Sequence, residues 1–270
     1  GVVPYLSNLL NSWFGTKFDP ANHKTILFMT LGLLALQTIL NVTGARVMGR
    51  VASFGSYVEI FGTVGIALIL AAAGFHHGFG FLFSTQGAET GATNSLGVDF
   101  GGSWWMGAAL IAVMAHAYIF YGFESAGDVA EETKGATQQV PRAMRQALLA
   151  GAATSFILIA ALLLAIPNDA ASYKKATTFE GGIPFILQSA VTSSFLRDIL
   201  LLAVIFAFFS CGSSIQGASA RMLFSYARDG ATPAASMISK VSPRFHTPVN
   251  ALLVGALIPL AFTLLVNVTP

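Results

Sequence analysis

Charge is scarce in this sequence. Of its 270 residues, 14 are Lys or Arg and 12 are Asp or Glu, 10% together, against about 25% in an ordinary soluble domain. So few charges cannot cover a water-facing surface. The shortage is also uneven. Residues 25–45, 103–123, 146–167, 199–220 and 245–270 contain no Asp, Glu, Lys or Arg, and 51–75 contains only Glu59. Cysteine is nearly absent: Cys211 stands alone, which excludes an intrachain disulfide and any CxxC metal or redox motif. The net charge of +2 is too small to point to nucleic acid. His76, His77 and His116 lack HExxH or HxH spacing, so no metal is expected. No Ser-His-Asp arrangement and no P-loop lysine occur, which argues against an enzyme and against ATP hydrolysis. No cofactor is implied. No basic segment followed by a cleavage site is visible, and an opening at Gly1 without Met reads as an internal piece of a longer protein.

What fills the sequence instead is apolar: 54% hydrophobic residues and a mean hydropathy of +0.69. A helix on a soluble core keeps one polar stripe. These segments are apolar all round, so the medium facing them is lipid. A span needs roughly 20 mainly apolar residues, and six fit, at about 25–45, 53–75, 103–127, 146–167, 197–221 and 247–269. Residues 2–14 are too short to span and read as the end of a helix. In lipid the backbone must satisfy its own hydrogen bonds, and the in-out alternation of transmembrane strands is missing, so the spans are helices. The expectation is an all-α integral membrane protein, one incomplete transmembrane domain over 1–270.

Loop charge gives the orientation. One set of loops holds Arg46, Arg50, Lys134, Arg142, Arg145, Arg221, Arg228, Lys240 and Arg244; the other holds Lys17, Lys24, Lys174, Lys175 and Arg197. The first set is expected in the cytoplasm, which leaves residues 1–23 and the end of the sequence outside. Residues 76–102, rich in Gly, Ser and Thr, read as a flexible external loop, and 168–195 as a segment with a short helix on the outer surface. Pro141 and Pro233 read as loop turns.

The third span holds the most chemistry. Its end runs Tyr118-Ile-Phe-Tyr-Gly-Phe-Glu-Ser-Ala-Gly127, then Asp128-Val-Ala-Glu-Glu132. A carboxylate inside a span is a functional candidate by default. Gly122 and Gly127 allow the helix to break, and half-helix ends then offer partial charges to an ionic solute near mid-membrane. The alternative is a helix that ends at the interface with Glu124 merely wet. Glu59 also has two readings. A carboxyl kept from water favours its protonated form, which suits a proton carrier; or it sits about two turns from the inner end and pairs with Arg46 or Arg50. Ser213 and Ser214, beside Ser210, Cys211 and Gly212, either line a cation site or let helices pack closely. Arg221, Arg228 and Asp229 lie at the same end as Glu131, Glu132 and Lys134. Ion pairs among them would form an inner gate; ordinary positive-inside anchoring is the other reading.

FYGFESAGDVAEETKGATQQVPRAM (residues 120–144) resembles the sixth helix and following loop of the amino acid–polyamine–organocation transporters, most closely their amino acid, choline and GABA permease branch. GASARMLFSYARDGATP (217–233), followed by TPVNA (247–251), is similar to that family's eighth helix, cytoplasmic loop and ninth-helix entry. NVTGARVMGR (41–50) resembles the loop between its fourth and fifth helices. The resemblance implies a leucine-transporter-type fold of inverted five-plus-five repeats, with this chain holding the end of helix three through helix nine and a discontinuous helix near Gly122. It implies Tyr118, Phe120, Tyr121, Gly122, Phe123 and Glu124 as the substrate-facing segment, with the backbone of 121–123 taking the amino group and an aromatic lid stacking on the ligand. On their own chemistry, Glu59, Ser213 and Ser214 are the ion-coupling candidates, and Glu132, Arg221, Arg228 and Asp229 the gate. Some relatives carry a lysine in the helix that holds Glu59; the acidic residue here sets that mechanism aside.

The function expected is secondary active transport of an amino acid or related amine (choline, GABA or a polyamine) by alternating access, coupled to H+ or Na+ or to exchange. A transporter-like receptor or channel is the alternative, and an intramembrane enzyme a more remote one.

Overall fold

Long apolar runs of good helix formers close their own backbone hydrogen bonds, and among the described residues every regular element is a helix. The computed structural model describes residues 2–84, 109–117, 120–176 and 182–268. The helices are α1 (Val3–Phe14), α2 (His23–Val42), α3 (Ala45–Ala73), α4 (Leu110–Ala117), α5 (Ser125–Asp128), α6 (Ala136–Ala165), α7 (Ala170–Ala176), α8 (Gly182–Ala190), α9 (Ser194–Arg228), α10 (Ala235–Ile238) and α11 (Val249–Val268). Short 3-10 turns cover Phe79–Phe83 and Ala130–Glu132. Helices α2, α3, α6 and α9 are long and apolar enough to cross a membrane; α11 is apolar over Val249–Leu265. Their outward aromatics and aliphatics stay uncovered: Phe28, Phe156 and Ile258 are each more than 70% exposed. In water such a surface would aggregate; in lipid it is solvated.

Two compact units divide the chain, one built from residues 1–62, 125–140 and 198–270, the other from 63–124 and 141–197. In the first, α9 is the post on which other helices lean. Tyr5 of α1 meets Phe208 at 5.8 Å between ring centroids, and Trp13 Nε1 donates to Asp198 Oδ2 at 2.9 Å. From α3, Phe54 packs edge-on against Phe206. Gly55 lies so close to Ser210 that any Cβ there would collide with it. The α2–α9 seam is polar. Gln37 Nε2 donates to Phe209 O (3.3 Å), Asn41 Nδ2 to Ser213 O (3.0 Å) and Gln216 Oε1 (3.1 Å), and Gln216 Nε2 to Thr38 Oγ1 (2.7 Å). Interhelical bonds of this kind contribute about 0.6 kcal/mol each in membranes, so the four together contribute about 2 kcal/mol. Helix α11 packs on α2, and Ala220, Ala227, Ile238, Ala251 and Leu252 form a buried cluster at that end of α9.

In the second unit, Leu162, Leu164, Ala165 and Ile166 at the end of α6 are buried, as are Ile186 and Leu187 of α8. Leu164 O accepts from the backbone N–H groups of His76 (2.9 Å) and His77 (3.3 Å). The His77 ring stacks on Phe81 at 4.0 Å and shares a 2.9 Å hydrogen bond with Tyr173. Most of the Gly-rich loop expected at 76–102, and the start of the span expected at 103–127, lie outside the described residues. Residues 170–176 and 182–190 are helical, where the sequence suggests a surface helix within 168–195.

Pro141 departs from the sequence reading. It is the sixth residue of α6 rather than part of a loop turn. A proline that near a helix start forfeits a single ladder bond, which the long apolar body of α6 outweighs.

Candidate functional site

The interruption in the third span is built from the backbone. Helix α4 ends at Ala117, and the chain resumes as turn at Phe120–Glu124 before α5 begins at Ser125. Gly122 takes φ 98°, which L side chains rarely adopt, and open space surrounds the position where a Cβ would stand. Glycine is required here by conformation, not by crowding. The N–H freed by the turn donates to Glu124 Oε2 at 3.0 Å, so the carboxylate caps the peptide group two residues before it. Phe120 and Tyr121 are 44% and 75% exposed, Phe123 is half-buried and Glu124 is exposed. Tyr118 lies outside the described residues. The segment thus combines an interrupted helix, accessible aromatics and an anchored negative charge, a set suited to an ammonium-bearing solute.

Glu59 sits midway along α3, four residues after Gly55 and three before Gly62. Both glycines abut α9, Gly62 with its Cβ position 3.7 Å from Ala203. Helical spacing puts Glu59 on the side of α3 that meets α9, and the residue is exposed there. Arg50 lies nine residues earlier on the same helix, about 13.5 Å of rise. Among the described residues Glu59 forms no ion pair with Arg46 or Arg50.

Ser213 is fully buried, and its hydroxyl donates to Phe209 O at 2.8 Å; Ser214 donates to Ser210 O at 2.9 Å. Both hydroxyl protons are spent on the preceding turn of α9, which leaves oxygen lone pairs as their only offer to a cation.

Arg221, Arg228 and Asp229 gather at the end of α9. Arg228 reaches Glu131 with both terminal nitrogens at 3.4 Å, and its Nε lies 3.6 Å from Asp229. The hydrogen bond to Glu131 and its charge, with that of Asp229, raise the pKa of the Arg228 guanidinium further. Glu131 is thus a loop partner of Arg228; the side chain of Glu132 lies outside the described set. Arg221 lines a cavity of about 400 Å³ beside this pair, together with Asp128 and Glu131. Asn41, Asp128 and His246 escaped selection from the sequence. Gln37 and Asn41, two amides four apart in an otherwise apolar run, were the available signal.

The amino acid permease family model matches residues 1–269. The chain belongs to the amino acid permease family. Membership brings the leucine-transporter-type fold, and the interrupted helix at Gly122 is consistent with it. Among relatives, the permease is 27% identical to the low-affinity putrescine importer PlaP of Escherichia coli over 237 residues, 86% of this chain and 48% of that protein. It is 26% identical to a choline transporter of Saccharomyces cerevisiae over 205 residues (74% and 34%). It is 24% identical to the amino-acid permease BAT1 of Arabidopsis thaliana over 246 residues (86% and 45%). The permease chain therefore spans less than half the length of each of these relatives.

Proposed function

We propose that this permease chain is part of a secondary active transporter that moves an amino acid or a related amine, such as choline, GABA or a polyamine, by alternating access. The observation that carries the reading is the turn at Gly122, where a left-handed glycine interrupts an apolar helix and its N–H is held by Glu124. A small charged solute crossing lipid needs such a polar break, because an intact helix has no peptide groups to spare. The relatives' names, with putrescine, choline and amino acids among them, support the substrate class.

In this reading Tyr118, Phe120, Tyr121, Gly122, Phe123 and Glu124 face the substrate, with the aromatics stacking on its aliphatic or cationic part. Glu59 carries a coupling proton, or Ser213 and Ser214 lend oxygens to Na+. The Arg228–Glu131 pair, with Glu132, Arg221 and Asp229 around it, closes the inner gate. The Arg-bearing loops are cytoplasmic, and residues 1–23 and the end of α11 are extracellular.

The test is uptake by the full-length parent in proteoliposomes, with labelled amino acids, choline, GABA and putrescine under imposed H+ or Na+ gradients. Glu124→Gln keeps a carbonyl to accept from Gly122 N–H but loses the charge. It should fold and lose most uptake; wild-type kinetics in this variant would remove the charge from the site. Glu59→Gln should flatten the pH dependence of uptake, and an unchanged pH profile would end its role as proton carrier.

A further inference from the structure

Two connections meet at one end of α2, α3 and α11: the turn from α2 into α3, and the loop from α10 into α11. Thr247 Oγ1 donates to Val42 O at 3.4 Å, and a Cβ on Gly44 would stand 3.5 Å from Phe245 O. The loop closes on itself through Ser242 N–H to Thr247 O and His246 N–H to Ser242 O, each 2.9 Å. Both connections belong to the first compact unit.

Four cations ride on them, Arg46 and Arg50 at the start of α3, Lys240 and Arg244 in the loop, and all four are exposed. Residues 43–50 and 230–250 contain no Asp or Glu. Among the described residues none of the four cations is ion-paired. Arg228, by contrast, has Glu131 and Asp229 beside it. Arg46 and Arg50 are also one helical turn apart, a spacing at which like charges repel. Neither α3 nor α11 has an acidic residue in its first turn, so the positive ends of two helix dipoles go uncompensated as well. The end as a whole lacks an anion.

The second regularity is apolar. Arg46, Lys240 and Arg244 are each followed directly by an uncovered hydrophobic residue: Val47 (41% exposed), Val241 (49%) and Phe245 (36%). The Arg244 guanidinium lies 5.3 Å from the centroid of the Phe245 ring. A basic residue beside a bare apolar one suits the depth at which headgroups give way to acyl chains. A soluble polyanion would account for the cations and leave Val47 and Val241 unexplained.

We propose that this end of the permease holds an anionic phospholipid, its phosphate shared among Arg46, Arg50, Lys240 and Arg244 and its acyl chains beside Val47 and Val241. The inference goes beyond the transport reading, because it requires nothing of the Gly122 turn or of the Arg228–Glu131 pair.

Native mass spectrometry of the detergent-solubilised full-length parent tests it, with dioleoyl-phosphatidylglycerol and dioleoyl-phosphatidylcholine as probes. The anionic lipid should bind at least about tenfold more tightly. One cation at an anionic membrane surface contributes a factor of about five. Lys240→Gln should therefore weaken phosphatidylglycerol about fivefold, and Arg46→Gln with Arg244→Gln more than about tenfold. Arg46→Lys with Arg244→Lys keeps the charge and should keep most of the binding. Lys17→Gln with Lys24→Gln removes two exposed cations at and before the other end of α2 and should change nothing. Where the double glutamine variant fails to fold, Lys240→Gln, in an exposed loop, carries the test. Equal affinity for the two lipids, an equal loss in the Lys17 and Lys24 variant, or full binding in Lys240→Gln would each overturn the inference. Excess glycerol 1-phosphate should not displace the lipid; displacement would assign the cations to a free phosphate and overturn it too.

Discussion

Gly55 and Gly122 are glycines for opposite reasons, and the contrast separates what holds this permease together from what lets it act. Gly55 sits in an ordinary helix at a seam where α3 and α9 nearly touch, and a Cβ there would lie 2.5 Å from Ser210 Cβ and closer still to its hydroxyl. Gly122 has room on every side and a backbone angle that only glycine adopts freely. At the seam, side-chain volume is limiting and the backbone is regular. At the turn, volume is irrelevant and the backbone is irregular. The surrounding chemistry follows the same division: amides and hydroxyls on α2 and α9 are spent on each other, while Glu124 is spent on a peptide group that a solute could use.

The seam should break first. Gly55→Ala is expected to destabilise the protein by about 2–3 kcal/mol, the upper range for overpacking a tight contact. Ser210→Gly in the same background should restore most of the loss, because it removes both atoms in the way. Ser210→Ala should not, since the Cβ remains. Thermal melting of the detergent-solubilised parent reads all three, and full rescue by Ser210→Ala would mean that the hydroxyl alone makes the contact.

The turn should break next, and differently. Gly122→Ala forces a Cβ into a strained conformation costing roughly 1–3 kcal/mol. No packing holds the turn in that geometry, so it can relax the strain by giving the geometry up; the melting temperature should then move less than for Gly55→Ala while uptake falls at least about tenfold. Equal losses in melting and uptake would erase the distinction between the two glycines.

How far the sequence discloses each region follows from the same physics. Apolar runs without charge disclose the long helices at once, because a continuous period of lipid-compatible side chains needs no partner to be recognised. The Gly-flanked carboxylate at 122–127 discloses the interruption, since both glycine and an intramembrane acid are costly in a plain helix. The α2–α9 seam is less visible: Asn41 and Gln216 are 175 residues apart, and nothing local tells one amide that it bonds the other. Pro141 misleads for a related reason. Proline signals a boundary, yet the hydrogen bond it forfeits is small beside the burial and length of α6.

The Arg228–Glu131 pair belongs to neither extreme, being bonded like the seam but exposed like the turn, at 49% and 76% of the two side chains. An exposed pair contributes about 0.2–1 kcal/mol, and screening by salt reduces it. Glu131→Gln and Arg228→Gln should therefore shift melting by less than about 1 kcal/mol each. A gate is a difference between two states, so the inward-open population should rise. Cysteine accessibility at the loop end of α9 measures this, and the exchanged pair Glu131→Arg with Arg228→Glu should bring it back toward wild type. Unchanged accessibility in all variants would reduce the pair to surface decoration.

The smallest effect is expected at Asp169, just before α7. The Ser172 hydroxyl and backbone N–H both donate to it, the latter at 2.8 Å, and hold its carboxyl below the ordinary aspartate range. Because the folded pKa is depressed, the cap is fully formed above the ordinary value and is lost as pH falls through the lowered one. Hydrogen exchange of the Ser172 and Tyr173 amides should therefore quicken only under acid conditions, below about pH 4. Asp169→Asn should remove that dependence, because an amide accepts the same bonds without titrating. If α7 kept its acid dependence in Asp169→Asn, the proton would be landing elsewhere, and the cap would be a passenger in whatever loosens the helix.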